Sequence, residues 1–357
     1  MLYATRFRAP DAFVFVETQG RTAILLSDLE LDRGRREAKV DDVVSYSELE
    51  KEAQGIKKPK PAYAKVVAEF LKKLGARRVL TPADFALGLA RALKKENLRV
   101  QPVKGPFWPG REIKSEQEIK ALGAALRIAE AGMARGHDIL KAATIRKDGK
   151  LFWNRKILTA EILRMEMEIA VVRAGGEARG DTIVACGEMA CDPHERGSGP
   201  LFVNQLIILD IFPRDARSGY FGDLTRTVVR GTADEAQRRL WETCLSGQER
   251  AFQALKPGAS GSEIHEDVKA LFAESGYPTE IKDGRWQGFF HGTGHGLGLE
   301  IHEEPRFAAA TFRQGQVFTV EPGIYWPGVG GVRHEDVVVI TAKGHRPISN
   351  FPKQLEI

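Results

Sequence analysis

The apolar positions along this chain change their period several times, and the changes divide it into parts. Near the start, AFVFVET (residues 12–18) and AILLSD (23–28) are short apolar runs with polar flanks, the pattern of strands. ELEKEA (48–53) and AYAKVVAEFLKKLGA (62–76) repeat their apolar residues at helical spacing, and the second leads into RRVLTP (77–82) as a strand. DFALGLARALKKENL (84–98) is a further helix and RVQPV (99–103) a further strand. Alternating strands and helices predict a small α/β domain, a sheet covered by helices. Pro109-Gly110 marks a loop, and Ser115 with Glu118 is a capping box opening a long helix. The boundary is therefore expected near residue 112, with domains over 1–112 and 113–357.

The second part repeats itself. Helices over 116–143 and 159–175 precede strand-rich sequence, and helices over 233–258 and 262–276 precede strand-rich sequence again. The pairs Thr232/Glu235 and Ser260/Glu263 are expected to cap the later helices. Aligning the strand regions sets NQLIILDIF on GQVFTVEPG and FGDLTRTVV on VRHEDVVVI. Asp210 then falls on Glu321 at an offset of 111 residues, and Asp223 on Glu335 at 112. One residue of drift over such a distance is the register of a diverged duplication.

Two similar halves pack about a pseudo-twofold axis, which would bring Asp210, Asp223, Glu321 and Glu335 together. Four ionised carboxylates cannot share a buried space unaided, because desolvation and mutual repulsion both oppose it. Divalent cations offset that repulsion, and four carboxylates with one imidazole suffice for two metals. The segment HGTGHGLGLEIHEEP offers His291, His295 and His302 among glycines that let a ligand approach the backbone. The plainer alternative is ion pairing with Arg226 and Arg333, which lie close in sequence to Asp223 and Glu335.

Composition narrows the class without naming it. Hydrophobic residues make up 43% and charged residues 28% of 357, an ordinary globular balance. The chain's start shows no long apolar segment, and no apolar run is long enough to span a bilayer, so no membrane association is expected. Cys186, Cys191 and Cys244 form no disulfide framework, which points to a cytoplasmic location. Cys186, Cys191 and His194 lack a fourth partner for structural zinc. The net charge of +5 includes basic clusters at Arg33-Gly-Arg-Arg36 and Lys57-Lys-Pro-Lys60. These suit nucleic acid or a solvated loop equally, and since no reading motif accompanies them no nucleic-acid partner is expected. His137, His265, His334 and His345 are expected to be solvated or locally bonded, and Trp108, Trp153 and Trp286 to be packing residues.

In GYFGDLTRT, HGTGHGLGLEIHEEP, FTVEPGIY and GGVRHEDVVVIT, in that order, the sequence resembles the creatinase/methionine aminopeptidase family, the "pita-bread" fold. It is most similar there to the proline-directed members, prolidase and aminopeptidase P, over about residues 112–350. The resemblance implies an α+β fold, with an internally repeated pita-bread domain behind a small creatinase-like α/β domain. It implies hydrolysis of the Xaa-Pro bond of dipeptides or peptide N-termini, with proline second in the substrate, by water or hydroxide held between two metals. Asp210 would hold one metal, Asp223 and Glu335 would bridge both, and His295 and Glu321 would complete the other. Glu321 would carry the proton, His302 would stabilise the oxyanion, and His194 would be the other non-metal active-site histidine. His291 would flank the proline pocket, a position that methionine aminopeptidases do not match. Thr225 and Arg333 would orient the ligand carboxylates. Manganese is the ion the resemblance favours, with cobalt, zinc or iron as alternatives, and a homodimer is the expected assembly.

Two departures stand out. The Asp210-to-Asp223 spacing is two residues longer than the family's usual one, which an insertion in IFPRDARSGYFG explains, with Asp215 as a competing ligand if the pairing slips. No motif identifies an arginine for the substrate's carboxylate, leaving Arg306 and Arg313 as candidates. Three alternatives remain: an aminopeptidase without proline preference, a metal-free binding module, and a creatinase-like amidinohydrolase.

Overall fold

The computed structural model describes residues 1–54, 59 and 61–357, so Lys57, Lys58 and Lys60 of the second basic cluster lie outside the described residues. The chain divides into two compact units, Met1–Arg111 and Glu112–Ile357.

In the first unit the strand Val14–Thr18 pairs antiparallel with Arg21–Leu26, which pairs in parallel with Asp42–Ser45. Arg78–Thr81 and Arg99–Pro102 form a second parallel pair. Helices Tyr46–Gln54, Tyr63–Lys73 and Leu87–Lys95 bury Leu49, Val66, Val67, Phe70 and Leu93 in a common core with Leu25. Among the elements that escape the sequence reading are the Asp42–Ser45 strand and a helix over Asp28–Glu37. The helix hides because Gly34 is its one buried residue. A Cβ there would lie 2.2 Å from Leu26 Cδ1, so the helix rests directly on the adjoining strand. The cluster around Arg33 is thus a helix face, neither loop nor free basic patch. Arg33 pairs with Glu30 at 2.9 Å and Glu37 at 3.3 Å, one turn away.

In the second unit a complete Ser115/Glu118 capping box opens the helix Glu116–Ala142, which packs on Ala160–Arg173. Helices Glu235–Ala254 and Gly261–Glu274 form the corresponding pair in the second half. The cap of the third helix is corrected: Asp234 and Gln237 form the box, because Asp234 is the last extended residue. Thr232 instead donates its backbone N–H to Asn204 Oδ1. Each helix pair packs on its own half's strands, and Leu122, Ala125 and Leu126 of the first helix also pack with Val317, Val337 and Val339 of the second half.

The strands carry the duplication into the backbone. In the first half Ile183–Cys186, Leu206–Ile211 and Leu224–Val229 form an antiparallel sheet. In the second, Glu303–Arg306, His295–Gly296, Val317–Val320, Asp336–Ile340 and His345–Pro347 form the other. Asp210 lies opposite Thr225, whereas Val320 lies opposite Asp336, which sets the next residue, Glu321, against Glu335. The two halves therefore differ in register by two residues. An even shift keeps every side chain on its original face, so the acids still point the same way. Every residue of Leu206–Ile211, Leu224–Val229, Val317–Val320 and Asp336–Ile340 is buried, as both faces of these strands are covered.

Candidate active site

Asp210 sits on the strand Leu206–Ile211, and Glu321 directly follows Val317–Val320. Asp223 and Glu335 directly precede Leu224–Val229 and Asp336–Ile340. All four thus emerge at strand ends, where backbone pairing fixes their direction. With His295 they line one cleft of about 880 Å³, as do His194, His291, His302 and Arg333. Thr225 stands behind, donating its hydroxyl to Glu335 Oε2 at 2.8 Å. Asp215 does not join them. Its carboxylate accepts from the backbone of Arg217 and Ser218 and closes the turn after Phe212, so the longer spacing is a hairpin insertion.

The glycines of the histidine segment have a geometric cause. A Cβ on Gly294 would lie 2.0 Å from the Thr319 carbonyl oxygen, and one on Gly298 2.5 Å from Glu303 Oε1. At these two positions the segment lies too close to its neighbours for any side chain. His295 is fixed from both sides: its backbone N–H donates to Thr319 Oγ1 at 3.0 Å, and Nδ1 lies 3.2 Å from the Gly296 carbonyl. A carbonyl only accepts, so the ring proton is on Nδ1 and Nε2 carries a lone pair. That lone pair faces Glu321 Oε1 at 3.2 Å and Asp223 Oδ2 at 3.5 Å. Burial pushes the His295 pKa down to about 4, so the ring is neutral and these are not ion pairs.

Three acceptors therefore face one another, and a proton or a cation must stand among them. Burial, and then the charges of Glu335, Asp210 and Glu321, hold the Asp223 pKa well above the carboxylate range. Glu335 is raised by burial and by Glu321 and Asp210. Burial lifts Glu321 to about 7, with Arg333 pulling the other way and Asp210 adding to the rise. Asp210 Oδ1 and Glu335 Oε1 are buried and have no hydrogen-bond partner. Ligand atoms of Asp223, His295 and Glu335 lie within 4.8 Å of one another, the one such group among the described residues. Orphaned oxygens, a bare imidazole lone pair and mutually raised acids fit divalent cations.

Arg333 is the one permanent positive charge built into this cluster. Its Nη2 donates to Asp210 Oδ2 and its Nη1 to the Tyr325 hydroxyl, at 2.7 and 2.8 Å. The alternative of arginine pairing therefore holds for one acid in four. Tyr325 in turn lies 2.8 Å from His291 Nε2, while His291 Nδ1 lies 2.8 Å from the Gly292 carbonyl. The same carbonyl argument puts the His291 proton on Nδ1, so Tyr325 donates its hydroxyl to Nε2. Both His291 nitrogens are occupied within the protein, and desolvation lowers its pKa to about 3. His302 packs edge-on to His295, ring centroids 4.4 Å apart, and burial followed by that neighbour pushes it to about 4. Tyr325 was missed in the sequence, although it stands in the quoted FTVEPGIY, on the strand Gly323–Trp326 that begins two residues past Glu321.

Other readings are settled by placement. Arg306 lines the cleft, whereas Arg313 pairs with Glu112 and does not. Cys186, Cys191 and Cys244 are buried free thiols, and burial pushes them up to about 11, 12 and 12. His265 bonds Thr293 and His345 approaches Leu255, as local bonding requires. His137 and His334 correct the expectation of solvated or locally bonded rings: both are buried, His137 Nε2 and both His334 nitrogens have no hydrogen-bond partner, and His334 packs edge-on against Trp241. Trp286 is exposed and Trp153 packs at the edge of a core cluster. No helix among the described residues is long and apolar enough to cross a membrane.

The model of metallopeptidase family M24 matches residues 120–342. An Xaa-Pro dipeptidase of Pyrococcus horikoshii is 32% identical over 300 residues, covering 82% of this chain and 78% of that one. The solved structure of an Xaa-Pro dipeptidase from Bacillus anthracis superposes with a TM-score of 0.83 at 26% identity, over 100% of this chain and 92% of that one. An X-Pro aminopeptidase of Thermotoga maritima shares the fold, with a TM-score of 0.82 at 22% identity, over 100% and 93%.

Proposed function

The chain belongs to metallopeptidase family M24, with the pita-bread fold and an N-terminal domain, and we propose that it hydrolyses the Xaa-Pro bond of short peptides. The observation that carries this reading is the convergence of the His295 lone pair on Asp223 and Glu321 beside the orphaned oxygens of Asp210 and Glu335. We assign Asp210, Asp223, His295, Glu321 and Glu335 to two divalent ions. Oxygen-rich ligation with one imidazole suits manganese, with cobalt, zinc or iron as alternatives. Bound there, such ions would supply Lewis acidity and a hydroxide nucleophile near neutral pH.

The chain's own groups do the rest. Glu321, on the cleft wall 3.2 Å from His295 Nε2, would take the proton of the attacking water and pass it to the departing proline nitrogen. His302, neutral and held beside His295, donates its N–H to the carbonyl oxygen as negative charge develops there. His194, exposed on the cleft wall, contacts the bound peptide from the other side. His291 has no nitrogen left for the substrate, so it offers its ring as an apolar wall, which suits a proline ring and disfavours a polar side chain. Thr225 and Arg333 hold the carboxylates of Glu335 and Asp210 in place.

Arg306 in the cleft favours the dipeptidase reading, since its guanidinium suits a free carboxylate after proline. An aminopeptidase preferring longer peptides is the second reading, favoured by a cleft near the upper size for small-ligand sites. The test is hydrolysis of an Xaa-Pro dipeptide and an Xaa-Pro-Xaa tripeptide by chelator-stripped protein, with and without Mn²⁺. Metal-dependent cleavage of the dipeptide supports a prolidase, and of the tripeptide alone an aminopeptidase P. Cleavage of neither, by protein that binds two metals, removes the proline reading. We place the enzyme in the cytoplasm, where free thiols persist, as a homodimer, the commonest symmetric assembly.

A further inference from the structure

Beside the cleft lies a buried ion pair that the proposed reaction does not use. Lys114 Nζ donates to Glu303 Oε2 at 2.8 Å, with side-chain exposures of 3% and 4%. Taking both charges out of water is expensive, and such a pair is rarely more stabilising than apolar residues of the same volume. Stability alone is a poor reason for it. Its geometry suggests another. The second carboxylate oxygen, Oε1, accepts from the backbone N–H groups of Leu299 and Glu300 at 2.7 and 3.1 Å. At the loop's start, the Gly298 carbonyl accepts from Phe221 N at 2.8 Å. Lys114 is itself anchored, since its backbone N–H donates to the Gly315 carbonyl at 2.8 Å and the next residue caps the helix Glu116–Ala142.

One carboxylate thus ties down the loop of residues 298–302, and that loop ends on His302. Glu303 adjoins His302 in the chain but points away from the cleft, toward Lys114. We infer that Lys114 and Glu303 are positioning residues for His302: the pair fixes the loop so that the imidazole stands at 84° to His295, 4.4 Å between centroids. This inference rests on the role given above to His302. The positive end of Lys114 orients the Glu303 carboxylate, so that its other oxygen can accept from two amides. Neutralising either partner frees the loop without touching a metal ligand.

The experiment uses the metal-loaded full chain with Lys114→Met and Glu303→Gln, each alone and each combined with His302→Ala. In the single variants kcat for an Xaa-Pro dipeptide should fall on the order of 10- to 100-fold, the cost of a misplaced group, with KM nearly unchanged. In the His302→Ala background the same substitutions should cost little more, because the group they position is gone. Costs that multiply in that background would overturn the inference. Independently of activity, the amides of Leu299 and Glu300 should exchange with deuterium faster in Lys114→Met, while those of Leu206–Ile211 do not. Unchanged exchange at Leu299 and Glu300 would also overturn it. Should a single variant fail to fold, the charge-free double variant Lys114→Met/Glu303→Gln carries both measurements. If the wild-type chain cleaves no Xaa-Pro peptide, the functional reading falls, and the exchange still decides the positioning.

Discussion

Glu335 and Asp336 are neighbours on one strand end, both acidic and both buried, yet they belong to two different clusters. Asp336 faces Arg226 at 2.8 Å and Lys353 at 2.6 Å, and also accepts from Ser349 and Gln248. Its pKa is lowered, the attraction of Arg226 and Lys353 outweighing burial. Glu335, on the opposite face, keeps one oxygen without a partner and a pKa raised by burial and like charges. The neighbouring strand shows the same division: Thr225 reaches Glu335, while Arg226 reaches Asp336 and the carbonyls of Phe351 and Pro352. Burial of an acid is thus no mark of a site. What separates the two is the company each acid keeps: Asp336 faces two cationic side chains, whereas Glu335 faces other acids and a neutral imidazole.

The sharpest way to break this comparison is to neutralise one member of each cluster. Glu335→Gln should abolish metal binding and lower kcat/KM at least about 10³-fold, the several kcal/mol that a metal supplies. The metal-free stability of that variant should stay level or rise, since an amide mimics the protonated acid. Metal content, hydrolysis and chemical denaturation of the chelated protein check the three parts together. Asp336→Asn should do the reverse. Leaving Arg226 and Lys353 without their acid should cost about 3–5 kcal/mol of stability, while protein that remains folded at low temperature still binds metal. If both variants lost metal equally at equal stability, the two clusters would be one.

Acidity gives the next test, because the clusters titrate in opposite senses. Glu321 has a folded pKa near 7 against an ordinary 4.5. A raised folded pKa means that the folded chain binds more protons than the unfolded one between those values, so stability falls as pH rises through that window. Asp336, with a lowered pKa, contributes stability above the usual 3.8 that is lost as pH falls below it. The histidines that burial holds at about 3 to 4 work the other way below their ordinary 6.5, so the chelated protein should lose melting temperature only from about pH 6.5 to 8, and added Mn²⁺ should reverse that loss. A metal-free protein whose melting temperature rises steadily over that range would show that the carboxylates are not desolvated as described.

The same division explains what could be read in the sequence. The duplication was legible because the offsets of Asp210 to Glu321 and Asp223 to Glu335 need only residue identity and spacing. The fold was legible because long helical periods and apolar strands leave few alternatives. The same offset picks Glu335 over Asp336, but that Asp336 turns to Arg226 and Lys353 follows from pairing of Val320 with Asp336, a long-range register that one chain segment does not encode. Arg226 and Arg333 look alike in sequence and divide between the two clusters for the same reason. The helix Asp28–Glu37 escaped because its fit depends on an absent side chain at Gly34, which leaves no apolar stripe. The Tyr325–His291 and Lys114–Glu303 contacts join residues 34 and 189 positions apart, which no local pattern encodes.

The smallest expected effect sharpens the comparison at its weakest point, Arg333. Among the described residues this one is the built-in counterion of the carboxylate cluster, so it resembles Arg226, and the resemblance could mean that Asp210 is a structural acid. The difference lies in what else each arginine touches. Arg226 donates to fixed backbone carbonyls, whereas Arg333 donates to the Tyr325 hydroxyl, whose own proton goes to His291 at the cleft wall. Tyr325→Phe removes that hydroxyl without opening a cavity. Arg333 then loses one acceptor and His291 its donor, so the wall and the Asp210 counterion are no longer tied together. We expect kcat/KM to fall about 10-fold for an Xaa-Pro dipeptide, as for other partners that orient a metal site. The loss should be smaller for an Xaa-Ala dipeptide, which makes no use of the wall. Equal losses on both substrates would place Tyr325 with the structural cluster, and Asp210 would then be held by Arg333 as Asp336 is held by Arg226.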